Sequence, residues 1–264
     1  MFVSHGPGPL PLVWDREGKH GDLIEGFKNI TTQLNIKKKD IRAIVVVSAH
    51  YETKGEIEVT SQTKHPSLLY DYGGFPEWTY ELTYSPGGSP SVAKRVVELV
   101  NERSTMSCKE NVERNLDHGV FVPLMFMFPK ANVPVLQVSI PALTRDRAYN
   151  AKLCYDIGDA LEPLRSEGVL LVCSGQLTHG QGRPEGFVKS ILEILLKDSI
   201  DDSMRRKLLQ WEHIPESRQA HRREEHLLPL HVAVGASKNN EKISLLSSGW
   251  WGNLCMAHLS IGNE

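Results

Sequence analysis

The chain of 264 residues is long enough to bury a sizeable core and to hold one large α/β domain or two small ones. A formal charge of −2 leaves no basic footprint for nucleic acid or an anionic membrane, so the expected partner is a small molecule or a protein. Cys108, Cys154, Cys173 and Cys255 are scattered without a CxxC pair and read as reduced thiols of an intracellular protein. The N-terminus lacks a basic region followed by an apolar one, and no run approaches the ~20 apolar residues of a membrane span. The expected location is the cytoplasm.

In chain order, Phe2-Val3-Ser4 reads as a short strand delivering His5. The run Gly6-Pro7-Gly8-Pro9-Leu10-Pro11 forbids regular structure and predicts a stiff loop. Leu23, Ile24, Phe27, Ile30 and Leu34 share one helical face, with Lys37-Lys38-Lys39 beyond its end, where positive charge suits the helix dipole. Residues 41–53 carry four consecutive β-branched side chains, Ile44 to Val47, apolar on both alternations. That pattern predicts a strand buried on both faces of a sheet, ending at Ser48-Ala49-His50. Residues 56–60 alternate polar and apolar, as a half-exposed strand nearer an edge does.

Residues 65–88 are dense in Tyr, Phe, Trp, Gly and Pro and too irregular for a helix or long strand. An aromatic loop of that length suits a pocket wall, the alternative being a plug over the core. Ser89-Pro90 then opens a helix with Val92, Val96, Val97 and Val100 facing inward. Asn115 to Gly119 read as a loop, residues 123–128 as a brief buried helix, and residues 133–140 as a buried strand. Thr144 is expected to cap a helix running through Tyr149, Leu153, Ile157, Leu161 and Leu164 to Gly168. A strand from Val169 leads to Thr178-His179, followed by helices near 187–196, 203–211 and 225–236 and two strands at 242–246 and 254–261. No repeat or linker stands out. The fold class expected is α/β, a single domain over residues 1–264 whose central mixed or largely parallel sheet has helices on both faces.

Three apolar runs thus each deliver a histidine, His5, His50 and His179, near the end of a strand, where open α/β sheets form their ligand clefts. His118 lies beside a glycine and His226 at the expected start of a helix. Imidazole is the commonest metal ligand and general base. Neighbours on a helix point about 100° apart, so Glu225 and His226 are not expected to hold one ion together, and His226 is preferred with Glu225 in reserve.

Ser4-His5-Gly6, Val46 to His50, Tyr70-Asp71-Tyr72-Gly73-Gly74-Phe75-Pro76, Leu116 to Gly119, Ser174-Gly175 through Thr178-His179, and Glu225 to Leu230 occur in that order. Over essentially its whole length the chain resembles the LigB-like class III extradiol ring-cleavage dioxygenases, nearest the 4,5-DOPA extradiol branch. The resemblance implies a mononuclear non-haem Fe(II) site, which Zn(II) can also occupy, held by His5, His50 and His226, with His179 as acid/base or an additional ligand. It implies that His118 orients substrate and that Tyr70, Tyr72 and Phe75 wall a catechol. The implied reaction inserts both atoms of O2 into a catechol, DOPA-like in type, and opens the ring beside the diol to a muconic semialdehyde. Two departures stand out: Gly6-Pro7-Gly8 where the family usually has Gly-Ser-Pro, and Gly180 where relatives often carry Asn. Other readings of the same histidines are a zinc-dependent hydrolase, which would turn over without oxygen, and a metal-binding protein without turnover. The oligomeric state is not legible. His20, His65, His213, His221, His231 and His258 are assigned to surface or packing, with His221 and His231 the first exceptions to consider.

Overall fold

The computed structural model describes residues 1–19, 21–34, 40–64, 67–197 and 199–262. The lysines at 37–39, His20, His65 and the side chain of Leu23 lie outside what is described. Among the described residues eight strands form one sheet: β1 (Phe2–Ser4), β2 (Ala43–Thr53), β3 (Ile57–Thr60), β4 (Cys108–Asn111), β5 (Val135–Pro141), β6 (Val169–Gly175), β7 (Ile243–Trp251) and β8 (Leu254–Ile261). Their order is β4-β3-β5-β2-β6-β1-β8-β7. The β3–β4, β5–β2, β2–β6 and β6–β1 pairs are parallel, and the β3–β5, β1–β8 and β8–β7 pairs antiparallel.

β2 has the double-sided burial that its β-branched run predicts. Ala43, Val45 and Val47 pack on one face among α3 (Pro90–Arg103), α5 (Arg147–Leu161), α6 (Glu185–Leu196) and α9 (Leu228–Gly235). Ile44 and Val46 pack on the other among α2 (Asp22–Gln33) and α4 (His118–Met127). Each of the buried valines and the isoleucine contributes roughly 1.5–3 kcal/mol by leaving water, so a charge at Val46 would break the layer. Because β1, β6 and β2 run parallel side by side, their C-terminal ends open at the same edge of the sheet.

Several boundaries differ from the expectation. The Gly-Pro loop ends at Pro9, and Leu10-Pro11 begin a further helix, α1 (Leu10–Arg16), because proline is compatible with a first helical turn. α4 starts at His118 with Asp117 at its N-cap, so Pro123 lies inside the helix instead of opening it. Asp146, not Thr144, caps α5 by accepting from the Tyr149 N–H at 2.9 Å, and Tyr149 points outward, 51 % exposed. In α3, Leu99 is buried and Val97 only half-buried. β3 is shielded from the edge by β4, which the sequence reading missed. β7 runs to Trp251, and the short helices α7 (Asp202–Leu209) and α8 (Ser217–Ala220) precede α9, which begins at Leu228. No helix among the described residues is long and apolar enough to cross a membrane. The four cysteines are buried free thiols.

Candidate metal centre

Four loops and strand ends converge where β1, β2 and β6 finish. His5 follows β1 directly, its N–H bonded to the Gly175 carbonyl at 3.2 Å. His50 lies where β2 leaves the regular ladder with β5, between Val47 and Glu52, so its side chain is re-aimed from the sheet. His226 is in the turn before α9, not on the helix, and its carbonyl accepts from the Gln176 N–H at 2.8 Å. This bond ties the residue to the end of β6.

The three side chains meet closely. Nε2 of His50 stands 3.1 Å from Nε2 of His5 and 3.2 Å from Nε2 of His226. Nitrogens bound at about 2.0–2.1 Å to one ion are separated by roughly 3 Å at right angles and somewhat more in a tetrahedron, so the spacing fits a shared divalent cation. His118 also joins this group. Its ring centroid is 4.0 Å from that of His50 and 5.2 Å from that of His5, and His5, His50 and His118 each offer a donor within 4.8 Å of the others. His179, Glu225 and His226 form an adjoining set of the same kind, so His226 connects the two.

Outer contacts fix the ring orientations. His226 Nδ1 lies 3.0 Å from Glu225 Oε1, and His118 Nδ1 lies 2.8 Å from Asp71 Oδ1. A carboxylate only accepts, so both Nδ1 atoms carry the proton and both Nε2 lone pairs are free. Asp71 Oδ2 is 3.5 Å from His50 Nδ1. Burial, then mutual repulsion with His50, His118, His226 and His179, holds His5 well below its ordinary value. Burial first and His118 second push His50 down to about 3, against the pull of Asp71 and Glu225. His226 is lowered chiefly by burial and then by its neighbouring imidazoles. Neutral imidazoles with inward lone pairs are the form that binds a metal ion.

His179 stacks on His226, ring centroids 3.6 Å apart and planes 16° from parallel, and its side chain is 42 % exposed. The aromatic segment closes over the same edge. The Tyr72 ring is 6.0 Å from that of His118, with Tyr70 and Phe75 at 6.1 and 5.6 Å from Tyr72. The Tyr70 and Tyr72 hydroxyls donate to the Leu82 and Thr79 carbonyls, which leaves their rings as the surface they present.

Residues 1–253 match the family model described as the catalytic LigB subunit of aromatic ring-opening dioxygenase. The chain belongs to the LigB family. Similar proteins include the 4,5-DOPA dioxygenase extradiol of Beta vulgaris, 33 % identical over 96 % of this chain and 92 % of that protein. The protein of that name in Escherichia coli is 32 % identical over 99 % and 94 %, and a 4,5-DOPA dioxygenase extradiol-like protein of Schizosaccharomyces pombe 32 % over 91 % and 85 %. A crystal structure of an uncharacterized protein from Escherichia coli K12 superimposes with a TM-score of 0.69 at 27 % identity, covering 89 % of this chain and 92 % of that one. The family is metal-dependent, and in this LigB chain the histidine cluster is where an ion could be held.

Asp71 lies in the aromatic segment 70–76, and its contact with His118 spans 47 residues, beyond any local pattern. Asp117 is fully buried between Ser48, Gln137 and Arg114, and Arg114 also donates to the His50 carbonyl at 3.0 Å. The departure at Gly180 has a local cause. A Cβ there would sit 1.8 Å from the Gln219 carbonyl oxygen, because residues 179 and 181 bond to the backbone of 220 and 219. Only glycine fits that path. His221, His231 and His258 are fully buried, bonded to the Leu177 carbonyl, the Leu208 carbonyl and the Ser4 N–H respectively.

Proposed function

We propose that residues 1–264 form one catalytic domain, an extradiol dioxygenase that inserts both atoms of O2 into a catechol-type substrate, DOPA-like in shape, and opens its ring beside the diol to a muconic semialdehyde. The observation that carries the reading is the meeting of three imidazole Nε2 atoms at 3.1 and 3.2 Å. His5, His50 and His226 are the ligands of Fe(II) in this reading, with Zn(II) able to take the same place. Bound Fe(II) lets an aromatic diol and dioxygen, which do not react directly, exchange electrons at one centre. Four buried thiols suit a reducing, cytoplasmic setting.

The chain's own residues supply proton handling and position. His179 is lowered by burial, with Glu225 opposing, so it is neutral near pH 7 and free to take the proton of a catechol hydroxyl at its nitrogen. Its partial exposure gives that proton a route to solvent. His118, oriented by Asp71, directs its free Nε2 at the substrate or the oxygen beside it. Tyr72, flanked by Tyr70 and Phe75, offers a ring face for the substrate and limits water at the opened bond.

The test is to load the protein with Fe(II) without oxygen, add a panel of catechols, and then admit air. A yellow semialdehyde formed with matching O2 uptake is the expected result. No chromophore and no O2 uptake across the panel would remove the proposal, and turnover before air is admitted would favour a hydrolase.

A further inference from the structure

One imidazole of the trio differs from its neighbours in what stands behind it. His226 and His118 each present Nδ1 to a carboxylate, which settles the tautomer at once. His5 presents Nδ1 to the hydroxyl of Ser174, at 2.9 Å, and a hydroxyl can either donate or accept. The ambiguity is resolved on another helix. Pro123 lies inside α4, where a residue with an N–H would bond the carbonyl four residues earlier, that of Gly119. Proline has no N–H to give. The Ser174 hydroxyl fills the place, with Oγ 2.5 Å from the Gly119 carbonyl oxygen. A carbonyl only accepts, so the single Ser174 proton is committed to it. Ser174 Oγ must then accept from His5, whose Nδ1 carries the proton and whose Nε2 lone pair faces His50 Nε2 at 3.1 Å.

We propose that Ser174 is a positioning residue that, because Pro123 frees the Gly119 carbonyl to engage its proton, fixes His5 in the Nδ1–H tautomer and turns its Nε2 lone pair toward the ion. This deepens the functional reading and rests on it for the statement that His5 is a ligand. The opposite arrangement, Ser174 donating to His5 Nδ1, would leave the Gly119 carbonyl without the donor that Pro123 cannot provide and would put a proton on Nε2, where the ion must bind. Gly119 completes the device by having no side chain. A Cβ there would lie 2.7 Å from Ser48 Oγ and 3.3 Å from His5 Nδ1, forcing the imidazole off its acceptor.

The experiment follows the ring nitrogens of His5 by NMR in metal-free, 15N-histidine-labelled protein, assigned by comparison with His5→Gln, and then measures Zn(II) affinity against a competing chelator. Wild type is expected to show the Nδ1–H form. In Ser174→Ala, Nδ1 loses its acceptor, the Nε2–H form becomes populated, and Zn(II) affinity falls 10–100-fold, the range for loss of an outer partner of a metal ligand. Ser174→Thr, which keeps the hydroxyl, should restore both readouts. Pro123→Ala touches no ligand, yet it returns an N–H to the Gly119 carbonyl and releases the Ser174 proton toward His5, so it too should populate the Nε2–H form. An unchanged tautomer or an unchanged affinity in Ser174→Ala overturns the inference; should that variant not fold, an unchanged tautomer in Pro123→Ala does so. If Zn(II) leaves the wild-type His5 Nε2 resonance where it was, the ligand reading fails instead, and the comparison of tautomers still decides the role of Ser174.

Discussion

Asp71 Oδ1 accepts from both the backbone N–H of His118, at 3.0 Å, and its ring Nδ1–H, at 2.8 Å. One carboxylate oxygen therefore fixes where α4 begins and which way its first side chain faces, while its own residue sits in the aromatic segment. Burial works against the charge on Asp71, but the hydrogen bonds from the His118 ring and backbone help to hold the carboxyl below its ordinary value. Asp71→Ala should lower kcat/KM by about 10–100-fold, the usual effect of removing an outer partner, while metal content stays near wild type. Steady-state O2 uptake and elemental analysis measure the two quantities. Loss of the metal along with the activity would mean either that His118 is itself a ligand or that the ion depends on the Asp71 Oδ2 contact with His50 Nδ1, and metal content in His118→Ala separates the two.

The stack of His179 on His226 separates two roles for the exposed ring. His179→Ala is expected to keep the ion and lose turnover by at least about 100-fold, the contribution of a positioned general base. His5→Ala, His50→Ala and His226→Ala are expected to lose the ion. Metal content measured side by side in the four variants decides the matter, and a loss in His179→Ala as steep as in His50→Ala would make His179 a ligand.

How much of this was visible in the sequence depends on whether the signal was local. β2 was legible because a strand buried on two faces needs consecutive β-branched residues, and Ile44 to Val47 supply them. α4 was mislocated because His118 to Met127 is apolar nearly all round, so no helical period marks its start and Pro123 looks like one. β4 was missed because its Lys109 and Glu110 point to solvent and only pairing with β3 makes it a strand. At the site, the histidines carried a pattern at strand ends. Their partners Asp71 and Ser174 did not, since 47 and 169 residues separate each from the imidazole it serves. A helix at 225–226 makes Glu225 only a reserve ligand behind His226; in the turn it occupies, its carboxylate instead reaches the far nitrogen of His226.

Arg114 ties the buried Asp117 to the strand that carries His50. Its guanidinium donates to Asp117 Oδ2 at 3.1 Å and to the His50 carbonyl at 3.0 Å. Burial raises the Asp117 pKa, with Arg114 among the groups opposing it. Breaking a buried pair from one side costs about 3–5 kcal/mol. Ser48 and Gln137 still donate to Asp117 in Arg114→Ala, and Arg114 is partly exposed, so the loss should fall at the low end, about 3 kcal/mol. Urea unfolding of the metal-free protein reads this directly, and a change under 1 kcal/mol would show that solvent replaces the guanidinium.

Acid should destabilise the fold through buried histidines that are not among the proposed ligands. Burial, above all, pushes His221 and His231 down to about 4 and His258 down to about 3. In the unfolded chain each titrates near 6.5. Between these values the unfolded state binds more protons than the folded one, and stability rises with pH wherever that holds. It therefore falls as pH drops below about 6.5, and the loss from each histidine stops growing near its folded value. The slope is about 1.4 kcal/mol per pH unit for each histidine once the unfolded chain is protonated. His258 allows the cleanest measurement, because its ring lies 4.4 Å from that of Phe27 and its hydrogen bond from the Ser4 N–H is long at 3.4 Å. His258→Phe should flatten the dependence of unfolding free energy on pH between 6 and 4 by about one proton. Equal slopes for the variant and wild type would mean that His258 is protonated in the folded protein as readily as in the unfolded chain.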